Sequence, residues 1–91
     1  MSAQWTLTMK KQELEKVYAL HSQDLLRYIK RIAGSSRAED LLQETFVRSL
    51  GSLENYRGTA SMKNWLFRIA GNLAIDCLRS VKRQARYQHT G

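Results

Sequence analysis

Proline is absent from these 91 residues, and glycine occurs only five times. No ring removes a backbone donor, so long helices meet little resistance, and proline-rich or collagen-like structure is excluded. The single cysteine, Cys77, cannot close an intramolecular disulfide. That excludes a disulfide-stapled scaffold and fits the reducing cytoplasm. No apolar run approaches the ~20 residues of a membrane span, and Met1 to Lys11 lacks the apolar stretch of a signal peptide. The expectation is a soluble intracellular chain without membrane insertion. A chain of this length makes one small domain, whose core is only marginally adequate.

Acidic residues are scarce, eight against fifteen lysines and arginines, for a net charge of +7. Such a balance points to nucleic acid or an acidic partner surface. Its distribution is uneven. Residues 1–61 carry nine basic and seven acidic side chains, whereas residues 62–91 carry six basic and one acidic, Asp76. The basic surface therefore lies in the last third.

There is no internal repeat and no low-complexity segment. Apolar residues at three- and four-residue steps define three helical stretches, so the expected fold is all-α, a compact three-helix bundle. The first runs from about Lys11 to Ala33, with Leu14, Val17, Tyr18, His21, Leu25, Tyr28, Ile29 and Ile32 on one face. Gly34 follows as a stop signal. His21 on that face is expected to be buried and hydrogen-bonded, because no second ligand stands at a metal-binding spacing.

The second stretch opens on a capping box, Ser36-x-x-Glu39, and runs to about Ser49 or Leu53. Leu42, Phe46, Ser49 and Leu53 are expected to face the core. Residues 51–61 break the pattern with two glycines, an asparagine and several hydroxyls, and read as a loop. The third helix is expected from near Thr59 or Ala60 to about Arg83, with Met62, Leu66, Ile69, Leu73 and Cys77 as its core stripe. Cys77 reads there as a small buried hydrophobe. The domain is expected over residues 11–86, with a flexible segment 1–10 and a loose tail from Arg86, of which 87–91 begin a linker.

Two surfaces carry candidate function. At 100° per residue, Asp40, Gln43, Glu44 and Val47 form one stripe opposite the core face of the second helix. It reads either as a solvated face whose acids favour the helix N-terminus, or as a docking surface for a partner rich in arginine. On the third helix, Trp65, Arg68, Asn72, Arg79 and Arg83 share a narrow sector about 100° from the core stripe. With Tyr56 and Arg57 in the preceding loop, they form an aromatic and basic surface suited to single-stranded DNA. The other reading makes Trp65 core and the arginines solvated. Gly71–Asn72 are both poor helix formers, yet the apolar stripe continues past them in phase, so a functional or packing reason is expected. Asn72 can offer donors and acceptors to a base edge, while Gly71 can admit a close helix neighbour.

No catalytic triad, P-loop or zinc spacing is visible. No enzyme, cofactor or metal is expected.

These same residues carry a family resemblance. Asp40-Leu41-Leu42-Gln43-Glu44-Thr45-Phe46 is similar to the D-L-x-Q-E-x-F signature of region two of bacterial sigma factors. Tyr56-Arg57-Gly58, the run Trp65-Leu66-Phe67-Arg68-Ile69-Ala70-Gly71-Asn72 and Asp76-Cys77-Leu78-Arg79 resemble the extracytoplasmic-function (ECF) group, with the order and spacing kept. The resemblance covers about Leu14 to Arg83. It implies that Asp40, Gln43, Glu44 and Val47 dock on the clamp coiled coil of the RNA polymerase β′ subunit. It implies that Tyr56, Arg57, Gly58, Thr59, Ala60, Ser61 and Asn72 form a pocket for a base flipped from the promoter −10 element. Trp65, Arg68, Arg79 and Arg83 would then meet the non-template strand and the upstream duplex edge. The implied partners are core polymerase, promoter DNA and an anti-sigma factor, with a monomer when free. The −35-reading helix-turn-helix domain of the family is expected to be missing from this chain, which by itself should not initiate transcription.

Two other functions fit less of the pattern. A duplex-binding helix-turn-helix regulator requires a turn of three or four residues and a short recognition helix. A pure interaction module, binding polymerase or an anti-sigma factor without DNA, would survive neutralisation of the basic stripe.

Overall fold

A computed structural model describes residues 5–89. The expected loose residues 1–4 and 90–91 lie outside them. Three helices form: α1 Leu7–Ala33, α2 Ala38–Ser52 and α3 Met62–His89, with a 3-10 turn at Leu53–Asn55. Each helix packs on the other two. The all-α three-helix bundle is the observed architecture, without a strand among the described residues.

Helix α1 starts four residues before the expected Lys11. Thr6 is its N-cap, and the Thr6 Oγ1 accepts the Met9 N–H at 3.2 Å, satisfying one of the free donors of the first turn. It ends as the sequence indicates. Gly34 takes φ 87°, where a side chain would be strained, and donates its N–H to the Lys30 carbonyl at 2.9 Å. Lys30 and Arg31 lie in the last turn, where the helix dipole favours positive charge. Helix α3 extends to His89, beyond the expected end at Arg83 and through the first residues of the expected loose tail. With no proline or glycine after Gly71 until Gly91, nothing in that segment stops it.

The capping box does not form. Helix α2 begins at Ala38 with Arg37 as cap and no side-chain cap bond. The Ala38 N–H instead donates to the Ser35 carbonyl at 3.3 Å. Ser36 therefore stands one position too early for its side chain to cap the helix. The third helix also starts later than expected, at Met62, because Ser61 caps it: the Ser61 Oγ accepts the Asn64 N–H at 3.1 Å.

Leu14, Leu25, Ile29, Leu53 and Leu66 are fully buried at the centre, each stabilising the fold by roughly 1.5–3 kcal/mol. Ala70, Leu73 and Ala74 extend the buried stripe of α3, with Ile69 and Cys77 half-buried beside it. On α2 the expected core face holds at Ser49 and at Leu53 just beyond the helix, and shifts elsewhere. Ala38, Leu41, Thr45 and Ser49 are buried, and Leu42 and Phe46 flank them half-exposed. Buried hydroxyls are costly unless bonded. Thr45 donates to the Leu41 carbonyl at 2.7 Å and Ser49 to the Phe46 carbonyl at 2.6 Å, so both are satisfied within their own helix. Their small side chains bring α2 close, and Phe46 packs sideways on Tyr18, ring centroids 4.6 Å apart. His21 is half-buried, and its ring forms no hydrogen bond with the described residues.

Gly71 is a packing residue. It is buried under Tyr28, where a methyl group would come within 3.1 Å of the phenolic oxygen and 3.3 Å of the ring. Phe67 holds that ring from the side at 5.4 Å. Gly71→Val should therefore lower stability by about 1–3 kcal/mol through overpacking, despite the better helix propensity. Thermal melting checks this, and an unchanged midpoint would show that Tyr28 swings away freely.

Candidate functional site

The segment between α2 and α3 is shaped by one aromatic ring. Tyr56 is only 6% exposed and packs against Trp65 with ring centroids 4.8 Å apart. Its hydroxyl donates to the Ala60 carbonyl and so ties the loop's far end to its start. Burial pushes the Tyr56 phenol above its ordinary range, and the nearby Glu13 charge adds to this. Between these anchors Gly58 adopts φ 78°, a left-handed turn that side chains rarely occupy.

The loop folds over the start of α3 and leaves a surface hollow of about 160 Å³. Asn55, Tyr56, Arg57, Thr59, Ala60, Trp65 and Arg68 line it. Aromatic faces, two guanidinium groups and exposed hydroxyl and amide groups thus converge on a space open to solvent. The only ion pair among the described residues joins Arg27 and Asp24 at 3.5 Å. Arg57, Arg68, Arg79 and Arg83 are exposed and have no carboxylate partner there. Such a hollow can stack a planar group and hold an anion beside it.

Of the residues expected to form one pocket, the structure gathers Tyr56, Arg57, Thr59 and Ala60, and adds Trp65 and Arg68. Tyr56 is core and scaffold, with only a part of its surface in the hollow. Gly58 and Ser61 do not line it: one turns the chain and the other caps α3. Asn72 is exposed, one helical turn beyond Arg68, about 6 Å along the axis on the same side. Its amide has no hydrogen-bond partner among the described residues. Trp65 is half-buried: it packs against the core and also lines the hollow.

Asn55 also lines the hollow. Sequence reasoning passed over it because an asparagine beside loop glycines reads first as turn chemistry. Further along α3, Asp76, Arg79, Lys82 and Arg83 border a second, shallow hollow of about 480 Å³. Lys82 had no place in the expected stripe, although it stands next to Arg83.

The acidic stripe of α2 is exposed along its length: Asp40, Gln43, Glu44 and Val47 all face solvent. Val47 is 64% exposed, and Leu50 adds a second apolar side chain one turn on. With the buried face at Ala38, Leu41, Thr45 and Ser49, the stripe lies on the opposite side of the helix. Glu39 and Asp40 also sit in the first turn, where the helix dipole favours them. Among the described residues no helix is long and apolar enough to cross a membrane, and no cluster of three His, Cys, Asp or Glu could hold a metal ion.

Comparison with known proteins agrees with this geometry. The Sigma-70 region 2 family model matches residues 17–84, from the middle of α1 to the basic part of α3. RNA polymerase sigma factor YlaC of Bacillus subtilis is 36% identical over 78 residues, which are 85% of this chain and 43% of the relative. ECF RNA polymerase sigma factor SigC of Mycobacterium tuberculosis is 32% identical over 73 residues, 80% of this chain and 40% of the relative. ECF RNA polymerase sigma factor SigX of Bacillus subtilis is 38% identical over 64 residues, 69% and 33%. The chain thus spans less than half the length of these relatives. No solved structure is significantly similar to it. Three helices in this order, and a family match over most of their length, place the chain in the Sigma-70 region 2 family, in the form that ECF sigma factors carry.

Proposed function

We infer that this chain docks on core RNA polymerase through α2 and captures bases of an unpaired promoter strand at the loop and face of α3. The observation that carries this reading is the hollow between residues 55–60 and α3, lined by Trp65 and two arginines without a carboxylate partner among the described residues. Polymerase holds the domain at Asp40, Gln43, Glu44 and Val47 on the clamp coiled coil of β′. A base of the −10 element leaves its stack, enters the hollow, and is read at its edge by Asn72. Arg79 and Arg83 continue the basic track along the strand, joined by Lys82. Extruding a base costs a few kcal/mol, which stacking and hydrogen bonding in the hollow offset. The melted state is thereby trapped. An anti-sigma factor covering either face would block initiation, and the site of action is the cytoplasm.

The helix-turn-helix reading requires a turn of three or four residues. Nine residues, 53–61, separate α2 from α3 here, and α3 runs for 28, which favours the strand-capture reading.

Strand titrations at several salt concentrations test the proposal. The wild-type chain should bind a −10-like single strand more tightly than the matching duplex. Arg79→Ala and Arg83→Ala should each flatten the log–log salt dependence by roughly 0.7 per lost phosphate contact, and weaken all sequences alike, since phosphate contacts carry no base information. A preference for duplex favours the helix-turn-helix regulator. Binding that ignores the loss of both arginines favours an interaction module without DNA.

A further inference from the structure

Trp5 stands immediately before the α1 cap, Thr6, and its ring lies between the first turns of α1 and the loop at residues 54–58, about 50 positions later. The indole meets Tyr56 edge-on, with ring centroids 5.5 Å apart and planes at 66°. It also covers Gly58, where a methyl group would come within 3.3 Å of the indole Cζ3. Gly58 is thus constrained twice, by its left-handed turn and by the ring above it. One turn into α1, Lys10 places its ammonium 5.9 Å from the indole centroid and donates to the Glu54 carbonyl at 3.2 Å. An apolar residue before the cap commonly packs on the fourth helical position. Here that position is Lys10, so a cation–π contact takes the place of the usual apolar one.

The loop is therefore held at Glu54, Tyr56 and Gly58 by two residues near the start of the chain. Trp65 packs against Tyr56 from within the bundle, and the Ala60 carbonyl accepts a hydrogen bond from the Tyr56 hydroxyl. Trp5 does not line the hollow that Arg57, Thr59 and Ala60 share. It acts on that hollow through the loop. Ordering a loop at the moment of binding costs conformational entropy, and a loop ordered beforehand leaves less to lose.

We propose that Trp5 and Lys10 are positioning residues for capture of an unpaired DNA base: they brace residues 54–58 so that the base meets a preformed hollow. This rests on the base-capture reading above. Trp5 is 40% exposed, so its loss reaches the loop before it reaches the bundle.

The test uses the 91-residue chain and two single strands, one −10-like and one identical except for an abasic position at the captured base. Trp5→Ala should weaken the −10-like strand roughly 5- to 20-fold, as expected for ordering one or two more side chains on binding. It should leave the abasic strand's affinity and the helical content unchanged. Amide exchange over residues 58–61 should accelerate, and Trp5→Phe, which keeps an edge contact with Tyr56, should recover most of the affinity. Equal weakening of both strands overturns the brace, because Trp5 is then a direct strand contact. Unchanged binding of both strands by Trp5→Ala, with the wild type still discriminating, also overturns it. Should Trp5→Ala lose its helices, Lys10→Ala asks the same question with the indole in place. It is expected to cost about 2- to 5-fold on the −10-like strand alone, and no change overturns the proposal. A wild-type chain that does not distinguish the strands overturns the base-capture reading itself.

Discussion

Replacing Asn72 by alanine should weaken binding to a −10-like single strand by about 1–3 kcal/mol, the scale of one lost specific base contact, while the free chain melts at the same or a higher temperature. Asparagine is a weak helix former, and alanine in the interior of α3 improves propensity by several tenths of a kcal/mol. Exposure removes the usual counterweight. Asn72 faces solvent and bonds no described residue, so its loss strands no buried group. The preference for one base at one position should shrink with the affinity. Stability and recognition would then move in opposite directions, which a structural asparagine cannot produce. Melting curves and strand titrations on the same protein decide it. A lower melting temperature with unchanged base preference would make Asn72 a packing residue.

The second large effect lies on α2. The double substitution of Asp40 and Glu44 by alanine should reduce affinity for a β′ clamp fragment by about 2–5 kcal/mol if both carboxylates meet arginines in a desolvated interface. Exposed rim pairs would give far less, so the size of the loss reports how deeply the stripe is covered. The fold should tolerate the change. Asp40 loses a favourable dipole interaction of about 0.3–1 kcal/mol, and alanine returns up to about 0.7 kcal/mol per site in propensity. Val47, 64% exposed between these acceptors, would supply the apolar centre of the contact. Unchanged affinity in the double mutant removes the docking assignment and leaves α2 with a solvated face.

How much of this was legible in the sequence depended on how each residue announces itself. Helix number and the α3 stripe followed from apolar spacing, because those positions are buried together or packed on the core. The Gly34 stop followed from a glycine placed just after the last apolar residue. On α2 the signal was partial. Ser49 and Leu53 are buried as their positions indicate, but Leu42 and Phe46, though more apolar than the buried Thr45, only pack half-exposed beside it. A hydroxyl that bonds its own helix carbonyl loses most of its cost, and hydropathy does not register this. Capping also went to a serine other than the expected one. The Ser36-x-x-Glu39 pattern is a good cap signature, but the backbone turn through Ser35 shifts the helix start by a residue. Ser61 lacks the glutamate and caps α3 all the same.

At the site, the arginines and Trp65 were legible from their sector on α3, and the loop from its glycines. Gly71 was ambiguous until Tyr28 appeared above it. Only the fold brings α1 against the loop, so the contacts of Trp5 and Lys10 with Glu54, Tyr56 and Gly58 could not be derived from spacing. The signal that was available is local: a tryptophan directly before a threonine cap.

Division of labour between the two faces is the centre of the account, and backbone amide chemical-shift mapping of the labelled chain tests it most directly. Titration with a −10-like single strand should move resonances of residues 55–60, Trp65, Arg68, Asn72, Arg79 and Arg83. The amides of Asp40, Gln43, Glu44 and Val47 should stay in place until a β′ clamp fragment is added. Shifts along the α2 stripe on adding DNA, with the loop and α3 face silent, would contradict the account.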